Sequence, residues 1–145
     1  MHVTAEGSAE LLEPELPAGN YKYLGAGVVG QDGCIYFAPG NVGKVLRVTD
    51  EGDVELLEPE LPAGKDKYMG AGAVGQDGCI YSVPCNAGKV LRVTAEGNVE
   101  LLEPELAAGN YKYMGAGAVG QDGCIYFIPC NAAKVFRVTV LLRVT

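Results

Sequence analysis

The sequence holds a single histidine, His2, and only 11 lysines and arginines against 18 aspartates and glutamates. At a net charge of −7 it lacks the positive footprint that a phosphate backbone or an anionic lipid surface requires, which argues against nucleic acid and membranes as partners. Long hydrophobic runs are absent as well, and none approaches the roughly 20 residues of a membrane span. The opening Met-His-Val-Thr-Ala-Glu-Gly has neither the basic nor the apolar region of a secretory signal. No Asn-X-Ser/Thr acceptor occurs. The five cysteines are odd in number, which with no leader implies free thiols in a reducing, cytoplasmic compartment. No stretch has a 3.6-residue apolar period, so no helix is expected.

What is present is repetition. Leu11, Leu56 and Leu101 each open the phrase Leu-Leu-Glu-Pro-Glu-Leu, with 56 − 11 = 45 and 101 − 56 = 45. The same step relates Cys34, Cys79 and Cys124, and also Arg47, Arg92 and Arg137. Three in-phase copies of this length indicate a repeat architecture. With 48% hydrophobic and 20% charged residues, the chain has enough apolar surface for a core. The 145 residues read as one domain. It comprises repeats 11–55, 56–100 and 101–139, a partial repeat 1–10 and a tail 140–145.

Each copy reads as four short strands. In the first they are about 23–29, 34–38, 44–49 and 54–57. The Gly-Gln-Asp-Gly turn at 30–33 joins the first two strands, and its glycines permit positive φ. Pro39 stops the second strand. The Asp-Glu-Gly-Asp turn at 50–53 joins the third to the fourth. Strand one is Gly, Ala and Val, as where strands crowd around an axis. Strands two and three are apolar on both faces, and strand four carries charge, as at an exposed edge. That gradient across four strands points to an all-β fold of propeller blades.

The phrase Asp-Gly-Cys-Ile-Tyr-Phe-Ile-Pro-Cys-Asn-Ala at 122–132, with its earlier copies, resembles the tandem DG-x-I-Y-x-x-P-x-N-A units of algal and other microbial repeat proteins. Their general architecture is that of NHL and kelch propellers. The resemblance covers nearly the whole chain and implies a fold, not an activity. The Trp-Asp and Gly-His marks of WD40 blades are missing, and the sequence has no tryptophan. Propellers need about four to eight blades. Three repeats therefore imply a partial propeller belonging to a longer array, or half of a six-bladed ring closed by self-association as a dimer. The alternative is a β-trefoil, also three repeats of four strands. Its barrel calls for bulky side chains where this sequence has Gly and Ala.

The ends bear on closure. Val3-Thr4-Ala5-Glu6-Gly7 matches Val93-Thr94-Ala95-Glu96-Gly97, so the chain enters at the end of a third strand. Ala9 to Leu12 would then be a fourth strand, while the last copy stops after its third strand at Thr139. An early fourth strand and a missing late one suit a blade closed by both ends of a chain.

No set of residues stands out as catalytic, and neither a cofactor nor a metal is expected. Cys79 and Cys85, like Cys124 and Cys130, are six apart, which is not a zinc spacing, and Gly40 replaces the second thiol in the first copy. The carboxylate pairs Glu13/Glu15, Glu58/Glu60 and Glu103/Glu105 flank a proline and read as solvated edge charge. The candidate ligand-binding set is Asn41, Asn86 and Asn131 after each proline, Lys44, Lys89 and Lys134 three residues on, and Tyr36, Tyr81 and Tyr126. Amide, amine and aromatic groups of this kind suit a sugar, peptide or protein ligand, although Asn in such a loop also serves turn geometry. The expected function is a non-enzymatic scaffold or binding module. A propeller-type hydrolase or lactonase and a lectin-like trefoil are the alternatives.

Overall fold

A computed structural model describes residues 7–142. It contains three separate antiparallel sheets in chain order, and no helix among the described residues. The first sheet has the order β1 (Val28–Val29), β2 (Ile35–Phe37), β3 (Val45–Val48), β4 (Val54–Leu57). The second repeats it with β5 (Ala73–Val74), β6 (Ile80–Ser82), β7 (Val90–Val93), β8 (Val99–Leu102). The third has β9 (Ala118–Val119), β10 (Ile125–Phe127) and β11 (Phe136–Val138). These are propeller blades. A trefoil would close its strands into one barrel, and the three sheets share no hydrogen-bonded strand.

The turns form where their residues allow. Gly33 takes a φ of 84°, donates its N–H to Gly30 O at 3.0 Å, and the Asp32 carboxylate accepts from Cys34 N at 3.0 Å. In the β3–β4 turn Gly52 has a φ of 90°, and Thr49 Oγ1 accepts from Asp53 N at 3.0 Å. These short polar closures fix the register, which pairs Arg47 with Glu55 and Leu46 with Leu56. The second sheet pairs Arg92 with Glu100 and Leu91 with Leu101 in the same way.

Strand one is shorter than the sequence suggests. Residues 23–27 lie outside the ladder, and only Val28–Val29 pair with β2. The reason is close approach between blades. A Cβ on Gly25 would lie 2.5 Å from Gly70 O, and one on Gly70 would lie 2.5 Å from Gly115 O. Successive blades touch backbone to backbone there, so only glycine fits. The segment expected as an early fourth strand, Ala9 to Leu12, is not in a sheet and is exposed, Leu11 at 99%. Among the described residues no third strand lies beside it. The matching stretch Val3 to Glu6 and the last three residues of the tail lie outside the described residues.

Blades stack through two apolar clusters. Between the first and second, Tyr36, Val45 and Leu57 meet Ile80, Leu91, Val93 and Val99, with Leu61 and Tyr68 from the connecting loop. Between the second and third, Tyr81, Val83 and Val90 meet Ile125, Phe127, Val138 and Val140. Each blade thus has two faces. Tyr36 and Val45, with their counterparts, look forward along the chain, and Ile35 and Val48, with theirs, look back. Full burial of one such aliphatic side chain stabilises by roughly 1.5–3 kcal/mol. Gln31 and Gln76 tie the stack at one rim, each lying against the turn glycine of the following blade, Gly78 and Gly123. Gln76 also donates to Val140 O at 3.0 Å.

Candidate functional site

One groove recurs in every repeat. It lies between the Pro-x-Asn loop and the long loop that enters the blade. In the second repeat it is lined by residues including Lys67, Tyr68, Asn86, Lys89 and Glu105, with a cavity volume of about 250 Å³. The first groove has the counterparts Lys22, Tyr23, Asn41, Lys44 and Glu60 in about 290 Å³. The third has Lys112, Tyr113, Asn131 and Lys134 in about 690 Å³. The candidate asparagines and lysines therefore converge three times over, 45 residues apart.

The asparagines also clamp the backbone. Asn41 Oδ1 accepts from Asp66 N at 2.8 Å and Asn86 Oδ1 from Tyr111 N at 2.7 Å, so each ties its loop to the next repeat. Asn131 Nδ2 donates to Asn110 O at 3.2 Å. Lys44 pairs with Glu58 at 2.6 Å and Lys89 with Glu103 at 2.7 Å. Lys134 makes no ion pair among the described residues.

The tyrosines Tyr36, Tyr81 and Tyr126 stand apart from this groove. Their hydroxyls donate to the turn aspartates Asp32, Asp77 and Asp122. Burial and the bond to Asp32 push the Tyr36 hydroxyl up to about 12. The aromatic group that lines the groove is instead Tyr23, Tyr68 or Tyr113, whose hydroxyl donates to the carbonyl of Lys44, Lys89 or Lys134. Burial pushes the Tyr23 hydroxyl up to about 12 and the Tyr68 hydroxyl higher still. Alternation along β2 decides the matter. Tyr36 points at a neighbouring blade, whereas the groove opens at the loop end.

Sequence reasoning also passed over Lys22, Lys67 and Lys112. Lys67 and Lys112 are 4% and 6% exposed, and burial lowers both ammonium groups below their usual range. Lys67 Nζ donates to Val42 O, and Lys112 Nζ to Gly109 O at 3.1 Å. Their place in the Tyr-Lys-Tyr or Asp-Lys-Tyr triplet was the available signal. The residue before each is a further surprise. Tyr21, Asp66 and Tyr111 have φ of 51°, 50° and 53°, a left-handed conformation that non-glycine residues seldom adopt. Tyr111 Oη donates to Asp66 Oδ2 at 3.1 Å across that row.

The three grooves differ in charge. Glu60 packs against Gly43 and Glu105 against Gly88 at the wall of the first and second. The third is lined by Lys112, Lys134 and Arg137 with no acidic residue. Among the described residues no group of three or more His, Cys, Asp or Glu side chains is placed to hold a metal ion. Cys85 is buried and Cys130 exposed, and both are free thiols. No helix among the described residues is long and apolar enough to cross a membrane.

No protein-family model matches the sequence, and no relative was found among curated proteins. Solved structures do match the fold. Virginiamycin B lyase from Staphylococcus aureus superposes with a TM-score of 0.68 at 23% identity, over 87% of this chain and 41% of the lyase. A streptogramin B lyase gives 0.64 at 24% identity, over 86% and 39%. A catalytically inactive variant of the Staphylococcus aureus lyase, with quinupristin, gives 0.59 at 18% identity, over 87% and 44%. The fold is that of a β-propeller, and the chain spans about two fifths of the length of these lyases.

Proposed function

We propose that the chain is a non-enzymatic repeat scaffold whose grooves bind carboxylate-bearing peptides or sugars. The observation that carries this reading is the recurrence of one groove, with two lysines, an asparagine amide and a tyrosine, at three places along the chain. The third groove, where Lys112, Lys134 and Arg137 meet no acidic side chain, supplies the positive charge for a carboxylate, and the aromatic wall of each groove supplies apolar contact. Modest affinity at each groove multiplies when one ligand spans several. The test is calorimetric titration with acidic oligopeptides and with uronate oligosaccharides at low and high salt. Binding that weakens about fivefold in Lys134→Ala and again with salt supports the reading. Failure of both ligand classes to bind at millimolar concentration counts against it.

A second reading follows the fold likeness. The three solved structures named above are lyases, one of them seen with quinupristin, so the chain would form part of a propeller lyase acting on a compound of that kind. Incubation with quinupristin and mass analysis for a cleaved product tests it, and an unchanged compound removes it.

A further inference from the structure

Among the described residues the third blade has three strands, and a segment with the sequence of a fourth strand lies outside any sheet. Among the described residues β11 has no partner on its outer side, whereas β3 and β7 each pair with a fourth strand, Val54–Leu57 or Val99–Leu102. Residues 8–12, Ser-Ala-Glu-Leu-Leu, correspond to 98–102, Asn-Val-Glu-Leu-Leu, and lie exposed outside any sheet. The forward face of the third blade is bare as well. Ile128 and Val135 are 69% and 60% exposed, while their second-blade counterparts Val83 and Val90 are 3% and 2%. The backward face of the first blade is its natural cover, since Ile35, Val48 and Val54 there are only half-buried where Ile80, Val93 and Val99 are buried.

We infer that a second copy of this chain docks its first blade on the third blade and lends residues Ala9–Leu12 as the missing strand beside β11. The internal junctions dictate the register. Val45–Leu57, Leu46–Leu56, Arg47–Glu55 and Val48–Val54 become Val135–Leu12, Phe136–Leu11, Arg137–Glu10 and Val138–Ala9 across the two copies. The unmatched charges fall into place. Arg47 bonds Glu55 at 2.7 Å and Lys44 bonds Glu58 at 2.6 Å, and the same spacing sets Arg137 against Glu10 and Lys134 against Glu13. Leu61 N donates to Gly43 O at 2.7 Å, and Leu16 N stands in that relation to Ala133 O. Ala133 replaces Gly43 and Gly88, against which Glu60 and Glu105 pack, so Glu15 takes a different side-chain conformation there.

The contact is head-to-tail, so it propagates unless a ring closes. Two copies give six blades, within the range of about four to eight that propellers use, and three copies give nine, outside it. Two copies of this three-blade stretch therefore close a ring with two equal junctions.

Sedimentation of the intact chain from about 1 to about 100 µM tests this. The expected result is a discrete two-copy particle. Leu11→Asp with Leu12→Asp lies outside every sheet and leaves the blades folded, yet raises the dissociation constant by at least about a hundredfold. Glu10→Arg raises it about three- to tenfold, and adding Arg137→Glu to the same chain restores it. A single copy throughout that range overturns the proposal, and so does an assembly that the paired leucine changes leave intact. If Arg137→Glu restores nothing, the register is wrong. Sedimentation reads these outcomes with no groove ligand present, so they can fail separately from the binding titration.

Discussion

The second and third blades carry almost the same residues and meet very different surroundings. Val90 is 2% exposed and Val135 60%; Val83 is 3% exposed and Ile128 69%. Cys85 is fully buried, and its counterpart Cys130 is exposed. The first three strands correspond and pair in the same register, and the third blade differs in having, among the described residues, neither a fourth strand nor a following blade. In a stack of this kind burial belongs to the junction between neighbours and not to the repeat itself. A side chain apolar enough for a core becomes core only where another blade covers it.

Thiol chemistry should show this contrast most strongly. Iodoacetamide should label Cys130 at least about a hundredfold faster than Cys85, because Cys85 reacts only when the second and third blades part. Burial also pushes the Cys85 thiol up, which reduces the reactive thiolate. Equal labelling rates, read by peptide mass analysis, would mean that this junction opens freely. If the second copy docks as inferred, Cys130 labelling slows as protein concentration rises.

Truncation in the core comes next. Val90→Ala should destabilise the chain by about 2 kcal/mol, the lost transfer energy together with the cavity. Val135→Ala should cost only about a few tenths of a kcal/mol in the single copy, since solvent already reaches it. Denaturant unfolding of both variants checks the pair. A Val135→Ala cost that grows with protein concentration would place that residue at a contact between copies.

The smallest contrast concerns the tyrosine–aspartate bonds. Tyr81→Phe should cost about 1 kcal/mol and Tyr126→Phe less, because water replaces the partner at the open blade. The same bonds make stability depend on pH. Burial pushes the Asp77 carboxyl up, but hydrogen bonds from the Tyr81 hydroxyl and the Cys79 amide outweigh it and leave the group below its ordinary 3.8. A carboxyl depressed in the folded state contributes stability that is fully present above its unfolded value and is lost as the pH falls through the folded one. The unfolding midpoint should therefore be flat above about pH 5 and fall below about pH 4. Asp77→Asn should weaken that fall, and an identical acid limb in the variant would assign the effect to other carboxylates.

Much of the architecture was legible from local chemistry. Val54–Leu57 was expected as the fourth strand and forms with those bounds, because the Asp-Glu-Gly-Asp turn and the alternating Val-Glu-Leu pattern are both short-range signals. Strand one was read too long, because the approach of Gly25 to Gly70 involves residues 45 apart. The candidate residues separate in the structure. Asn41 and Lys44, with their copies, line the groove through loop geometry. Tyr36, Tyr81 and Tyr126 lie elsewhere because strand alternation sends them toward blade faces or turn aspartates. Lys67 and Lys112 escaped notice, since a lysine in a polar triplet gives no sign of burial until a neighbouring loop folds over it.

By itself, the sequence determined the unit: a 45-residue, four-strand blade with fixed turns, an apolar interior and a charged fourth strand. Those properties depend on φ preferences and alternation, which act within a few residues. Tertiary structure alone decided which copies of each residue are buried, where the tyrosine hydroxyls go, and that among the described residues Ala9–Leu12 and β11 have no strand partner. Burial and strand pairing are relations between distant segments. Identical repeats settle them differently at the middle of a stack and at its ends, because only a neighbour can exclude water from a blade's face.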